Sequence, residues 1–592
     1  MPVRLVLWVL LVLPCALVAQ QPLNLGFELA SVADSTAPWG WTPGWQVMAG
    51  AAPSRALLDA GVVAEGSRSL RLTGPNDSAA PFQLQLPGRL VQGQEVRLRL
   101  HARQDPGTTA LVTLEAWGNR VVPAADSAAI GGADTGWVTA SLRIVVPADS
   151  TIHSLMLQLG ARGPGAAWFD GLELELDGRP LTALPGPPPL TAEARRWLAT
   201  HATTLRHLAP HPDSADLAPF LEATREATLI GLGESTHGTA EFITLKHRLL
   251  AALAAGGGLR VLLLEANAAD VAPFEAYLQG GPGTARDAVA RLYPIMQVEE
   301  VAALADGLRA HNRAHPGAAV HAVGFDVQDQ AGPAGLLRRE LTEHDARWLP
   351  RLDALTAEYA AAPSFFTPGV APERRLRWAV QADTLERELA ARLPRWGRTA
   401  AAAAERAQAA ARAYRQAAWV NATGSSALRD TLMAENVVRL VDALPPGSRA
   451  ALWAHDAHVS HGGDPLRSLN GGAQMGATLR RHLGARYRAY AFLTARGTYR
   501  AMAGGVFRSV ALFPAPAASH EAALDALART RGTVALFLPL AGVPTGELEA
   551  PRPLRSIGYM AMDFGFEPWV SLPLDFDGVF FIPVSRAATG WR

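Results

Sequence analysis

GLGESTHGTAEFITLKHRLL, residues 231–250, reads as the end of a short apolar strand, a polar turn and the start of a helix, and this unit decides the fold. The strand ATLIGLG ends at Gly233. Beyond the turn, Phe242, Leu245 and Leu249 recur at helical spacing and supply a buried stripe. Glu234 to His237 therefore occupy the carboxyl end of a strand, where open α/β sheets place their ligands. The same segment holds Lys246, the only lysine among 54 Lys and Arg residues. Three more stretches repeat the arrangement: VLLLEAN ends its strand on Glu265, AVGFDVQD on Asp326, and ALWAHDAH runs into His455, Asp456 and His458. A single acid or imidazole after a strand is ordinarily a cap or a solvated loop residue. Four strands carrying such groups at the same end predict the rim of one site.

Working outward, helical and short apolar segments alternate over 192–592, which predicts an α/β domain with a mostly parallel sheet. Residues 346–418 are Ala- and Arg-rich and read as an inserted helical segment. Over 21–178 the pattern changes to short alternating runs between turn residues. In EVRLRLHA, Val96, Leu98 and Leu100 share one face while Arg97 and Arg99 share the other, the mark of a half-buried antiparallel strand. Six or more such runs predict an antiparallel β-sandwich. The Pro-rich residues 179–191 read as a linker. Residues 1–20 combine Arg4, an apolar run and small residues before Gln20, which predicts a signal peptide and export to the periplasm or beyond the cell. Its cleavage would remove Cys15, the sole cysteine; lipid anchoring through Cys15 is the weaker reading, because Pro14 stands where a small residue is expected. No later run is apolar enough to predict a membrane span. With 54 acids against 54 bases, no basic surplus exists to bind nucleic acid.

Spelling excludes several chemistries. His237 stands where a G-x-S-x-G elbow needs its second glycine, so Ser235 is a poor nucleophile, and Thr236 replaces the third glycine of a dinucleotide loop. An enzyme with these residues would most simply use a histidine as general base on water, oriented by a glutamate; the rim offers His237, Glu234, Glu265 and His455 as catalytic candidates and Lys246, His458, Asp326 and Asp456 as substrate-lining candidates. His455 or Lys246 would polarise the carbonyl. Within the helix, Arg248 is expected to partner a carboxylate and His247 to be structural. No cofactor is expected. The alternative is a divalent metal on Glu234, His237, Glu265, His455 and Asp456. A non-catalytic, glycan-binding surface protein is the third reading.

Two resemblances sharpen these expectations. NLGFE (24–28), WGWTPGW (39–45) and AAWFDGLELEL (166–176) resemble strands of carbohydrate-binding-like jelly-roll modules, which implies a glycan partner; Trp39, Trp41 and Trp45 nevertheless read first as core. GLGESTHGTAEFITLKHRLL, RVLLLEAN, VHAVGFDVQD, RDTLMAENV, LWAHDAHV and MGATLRRHLGARY, with the later RSIG and FDGVFFIPV, occur in the order seen in the erythromycin esterase family, a resemblance spanning about 221–584. It implies a hydrolytic α/β domain that opens ester or lactone substrates, macrolide antibiotics among them, by histidine-activated water without a required metal. Carried over by position, His237 is the base, Glu234 orients it, Glu265, His455 and His458 line the cleft, and Lys246 stands where the family has a cation. Asp456 departs from the family's asparagine, and a charge there is expected to raise the pKa of the neighbouring histidines.

Overall fold

The computed structural model describes residues 21–591 except 45–53, 75–80, 119–120, 134, 150, 185–187, 257, 358–369, 463–473, 544–545 and 547. Residues 1–20, where the signal peptide and Cys15 were expected, and Trp45 lie outside the described residues. The chain divides into two compact units, 1–189 with 515–522 and 190–514 with 523–592.

The first unit is a sandwich of two antiparallel sheets. One runs in the order 42–43, 82–87, 154–162, 109–118, 121–130, and the other in the order 55–59, 69–73, 166–176, 95–104, 138–145. Alternation does what it predicts: Val96, Leu98 and Leu100 are buried while Arg97 and Arg99 are exposed. Trp39 and Trp41 are core; the Trp41 ring packs 5.2 Å from Phe27 and its Nε1 donates to Leu23 O. The predicted linker begins too early. Asp177 and Gly178 both adopt positive φ (48° and 74°), which turns the chain back so that Arg179–Pro180 pairs with the strand it has just left. Ala183–Leu184 then pairs with Gln21–Pro22, so 179–184 is sandwich rather than spacer.

The second unit is built on a mixed sheet. Its principal strands are β1 (Thr203–Leu205), β2 (Leu229–Leu232), β3 (Leu259–Asn267), β4 (His321–Asp326), β5 (Arg449–Trp453), β6 (Tyr487–Ala503), β7 (Ala535–Pro539) and β8 (Gly578–Ser585), in the spatial order β1-β7-β8-β6-β2-β5-β3-β4. The six from β8 to β4 are mutually parallel, and β7 and β1 add antiparallel at one edge. Strand β2 is buried throughout, as a parallel strand between two others must be. Helix α1 (Ala240–Ala255) follows it and lays Phe242, Leu245, Leu249 and Leu253 into the core.

The inserted helices extend further than composition predicted. Helices α2 (Ala331–His344), α3 (Leu349–Thr356), α4 (Pro372–Arg392) and α5 (Ala401–Thr423) share one apolar cluster that includes Leu337, Leu341, Trp378, Leu389 and Tyr414. The cluster therefore begins at 331 rather than 346, because Leu337 and Leu341 pack into it although their helix lacks the Ala-rich signature. Helix α6 (Ser426–Asp442) leads back to β5. No helix among the described residues is long and apolar enough to cross a membrane.

Ionic contacts at two further places tie this unit together, one buried and one partly exposed. Arg248 of α1 clamps Asp216, with Nη2 to Oδ1 at 2.5 Å and Nη1 to Oδ2 at 3.2 Å, and also donates to the carbonyls of His207 and Asp213. Arg248→Met leaves Asp216 buried without its cation, and should lower the stability of this unit by about 3–5 kcal/mol, read as a fall in its urea midpoint. At the foot of β8, Asp577 meets Arg480, Arg488, His461 and the Ala489 amide. Burial alone would raise its carboxyl; His461, Ala489 and Arg480 outweigh that and hold it at about 2 against an ordinary 3.8. A depressed folded-state value stabilises above the unfolded value and is lost as pH falls through the folded one. Asp577→Asn should therefore remove about 2 kcal/mol of the stability lost between pH 4 and pH 2, measured by denaturation at a series of pH values.

Candidate active site

Strands β2, β5, β3 and β4 are neighbours in that order, and their carboxyl ends bring Glu234, His455, Glu265 and Asp326 to one end of the sheet. The turn after β2 is pinned on three sides. Gly233 N donates to Tyr490 O, Ser235 N to Phe492 O, Asp456 N to Glu234 O, and Ile557 N to Ser235 O. Gly233 has no alternative here, because a Cβ at this position would stand 1.9 Å from Asp456 Oδ1.

Glu234 is 4% exposed, and each of its oxygens has a task. Oε1 faces His237 Nδ1 at 2.7 Å. Oε2 accepts from Lys246 Nζ at 2.5 Å and from Trp453 Nε1 at 2.7 Å. A carboxylate only accepts, so His237 carries a proton on Nδ1, and the contact selects the tautomer in which a neutral ring has its lone pair on Nε2. His237 is the exposed member of the group: its side chain is 18% accessible, against 5% for Glu234 and none for Lys246. Lys246 therefore does not face a substrate, which corrects the expectation that it polarises a carbonyl. Its ammonium lies behind Glu234 and over the rings of Trp453 (4.4 Å) and Phe492 (5.3 Å). Burial lowers its pKa, with Glu234 opposing.

His455 stands beside His237, ring centroids 5.0 Å apart. Its nitrogens are committed to the main chain: Nδ1 accepts from Ala457 N at 3.2 Å and Nε2 donates to Ile557 O at 3.3 Å. Burial, then His237 and His458, push its pKa well below the ordinary histidine value. A neutral ring with both nitrogens occupied cannot polarise a carbonyl, so its expected electrophilic role gives way to packing against His237.

A second cluster lies at β3 and β4. Glu265 Oε2 accepts from His455 N at 2.9 Å, and Oε1 accepts from Arg429 Nη2 at 2.8 Å. Arg429 of α6 also grips Asp326, with Nε to Oδ1 at 2.8 Å and Nη2 to Oδ2 at 2.7 Å. Asp326 further accepts from Tyr293 Oη and Gln328 Nε2, so its carboxylate is filled from within the protein and does not bind substrate. His458 places Nδ1 2.6 Å from Asp430 Oδ1, while Nε2 lies 3.1 Å from Arg429 Nη1 and 3.4 Å from Glu265 Oε1. Burial would raise the Glu265 carboxyl, but His458, Arg429 and His237 hold it below its ordinary value. Burial would lower His458, but Asp430 and Glu265 raise it.

Asp456 behaves differently from its expected part. Oδ1 accepts from Phe492 N at 3.3 Å, and the charge acts on Lys246. Of the two histidines beside it, His458 is raised by Asp430 and Glu265, and His455 shifts downward. Ser235 Oγ is buried and has no hydrogen-bond partner among the described residues, which agrees with its exclusion as a nucleophile. His247 rests against Gly307 and belongs to helix packing. Arg429, Asp430, Tyr293 and Trp453 escaped sequence reasoning as site residues. The adjacent Arg-Asp pair on the buried side of α6 was the available signal for two of them. Among the described residues no three His, Cys, Asp or Glu side chains converge with metal-holding geometry.

A family model described as erythromycin esterase matches residues 256–585, 330 of the 592 residues, and includes Glu265, Asp326, Arg429, His455 and His458 while starting after the Glu234 turn. Among solved structures, a Bacillus cereus protein aligns at 22% identity and TM-score 0.60, covering 68% of this chain and 100% of its own. A succinoglycan biosynthesis protein aligns at 20% and 0.57, covering 67% and 98%. A mutant of the erythromycin esterase EreC in its open conformation aligns at 18% and 0.53, covering 66% and 98%. At these identities the likeness is one of fold. No curated protein sequence matches the chain. With more than half of its residues matched by that one model, the chain belongs to the erythromycin esterase family.

Proposed function

We propose that the protein is an exported hydrolase of a carboxylic ester or lactone, in which His237 activates water. The observation that carries this reading is the 2.7 Å contact of His237 Nδ1 with a buried carboxylate, combined with partial exposure of the same ring. This is the arrangement a general base needs: a fixed tautomer, a free Nε2, and a negative charge placed to stabilise the imidazolium. Nε2 takes a proton from water as the hydroxyl oxygen attacks the carbonyl carbon. The tetrahedral intermediate collapses, the bond to the alkoxy oxygen breaks, and the imidazolium returns its proton to that oxygen. Acid and alcohol leave, joined in one chain if the substrate is a lactone. Family membership supports the hydrolytic class. The named activity of EreC makes macrolides the first lactones to test, and the leader-like residues 1–20 support export.

A metal-dependent route through the same residues would need Glu234, His237 and His455 to give up partners that now satisfy them. The two routes separate in one experiment. Purified protein is incubated with erythromycin and with simple 4-nitrophenyl esters, with and without chelator, and product mass is followed. Gain of one water by the substrate, insensitive to chelator, is the expected outcome. His237→Ala should lower kcat/KM by about 10³-fold while leaving the thermal midpoint in place; retained turnover in that variant would remove His237 from the mechanism.

A further inference from the structure

Lys246 is a fully buried ammonium whose side chain meets Glu234 and two aromatic faces. It cannot reach a substrate, yet it stands on the far oxygen of the carboxylate that holds the base. We propose that Lys246, seconded by the indole of Trp453, is a positioning residue that compensates the charge of Glu234 so that His237 stays neutral and basic. The proposal rests on the reading of His237 as the base, and deepens it by assigning what sets its proton affinity.

The argument is one of charge in a buried place. Lys246, Glu234 and neutral His237 together carry no net charge. Without the ammonium, the Glu234–His237 pair would carry one uncompensated negative charge inside the protein, a state relieved by binding a proton. Whether that proton sits on the imidazole or on the carboxylate, the pair takes it up at higher pH than before and the lone pair needed for catalysis is lost. The other charged and titratable groups that face His237 remain in place. These are Glu265 from the end of β3, itself tied to Arg429 and His458, and His455 from the end of β5. Asp456 also faces the ammonium. A lysine acting as electrophile predicts something else, a changed kcat or KM with an unmoved proton equilibrium.

The test is a pH titration of the full-length protein labelled with ¹³Cε1-histidine, following the His237 resonance assigned by its loss in His237→Asn. Lys246→Met should move the midpoint up by about one pH unit or more. Trp453→Phe, which removes a single donor from Oε2, should move it the same way by less. If Lys246→Met does not accumulate as folded protein, Trp453→Phe carries the test alone. An unchanged or lowered midpoint in the folded variant overturns the proposal. The resonance reports whether or not any ester is turned over, so failure of the hydrolase reading and failure of this one are distinguishable. Where ester hydrolysis is measurable, the acid limb of kcat/KM should shift with the resonance.

Discussion

A carboxylate held ionised inside a protein needs either a cation or a full set of donors, and Glu234 is given both. Three groups from three elements converge on it: an imidazole from its own turn, an ammonium from α1 and an indole from β5. Much of the surrounding order follows from this demand. The turn is pinned by main-chain bonds to β6 and to Ile557, a glycine is required where Asp456 comes close, and α1 must start where it does for Lys246 to lie behind the carboxylate. A solvent-exposed glutamate would impose none of this.

The second cluster answers the same demand with a different cation. Arg429 forks between Asp326 and Glu265, which a single ammonium could not do with both edges engaged, and it ties α6 to two strand ends at once. His458 and Asp430 complete the balance. His455 joins the halves: its amide rests on Glu265 and its ring on His237, while its own nitrogens are occupied by backbone. Its value to the site is shape and apolar contact, an unusual use of a histidine among so many charges.

The parts of this arrangement legible in the sequence were those governed by short-range pattern. Strand ends at Gly233, Glu265, Asp326 and Trp453 announced themselves through apolar runs that stop on a charged or imidazole group, and the sandwich announced itself through alternation. What stayed hidden depends on direction and depth. Nothing local says that Lys246 points behind Glu234 and not into the cleft, since a lysine on a helix is equally compatible with both. Arg429 reads as one arginine among many in an Arg-rich chain; only the folded position of α6 gives it two carboxylates. Asp456 beside two histidines invited a pairwise electrostatic guess, yet its side chain turns toward the amide of Phe492. The hairpin at Asp177-Gly178 was readable in principle, being a two-residue turn of favoured composition, but the prolines after it drew attention to a linker.

The contacts of Glu234 and Glu265 span long stretches of chain: Trp453 reaches back 219 residues to Glu234, and the His455 amide 190 residues to Glu265. A growing chain that has not yet passed Trp453 holds a lysine–glutamate–histidine trio without its indole and a Glu265 without its amide donor. Both carboxylates gain these partners when β5 takes its place between β2 and β3. That strand is the last of the three to be made, so the donors that complete Glu234 and Glu265 come with its insertion into the sheet.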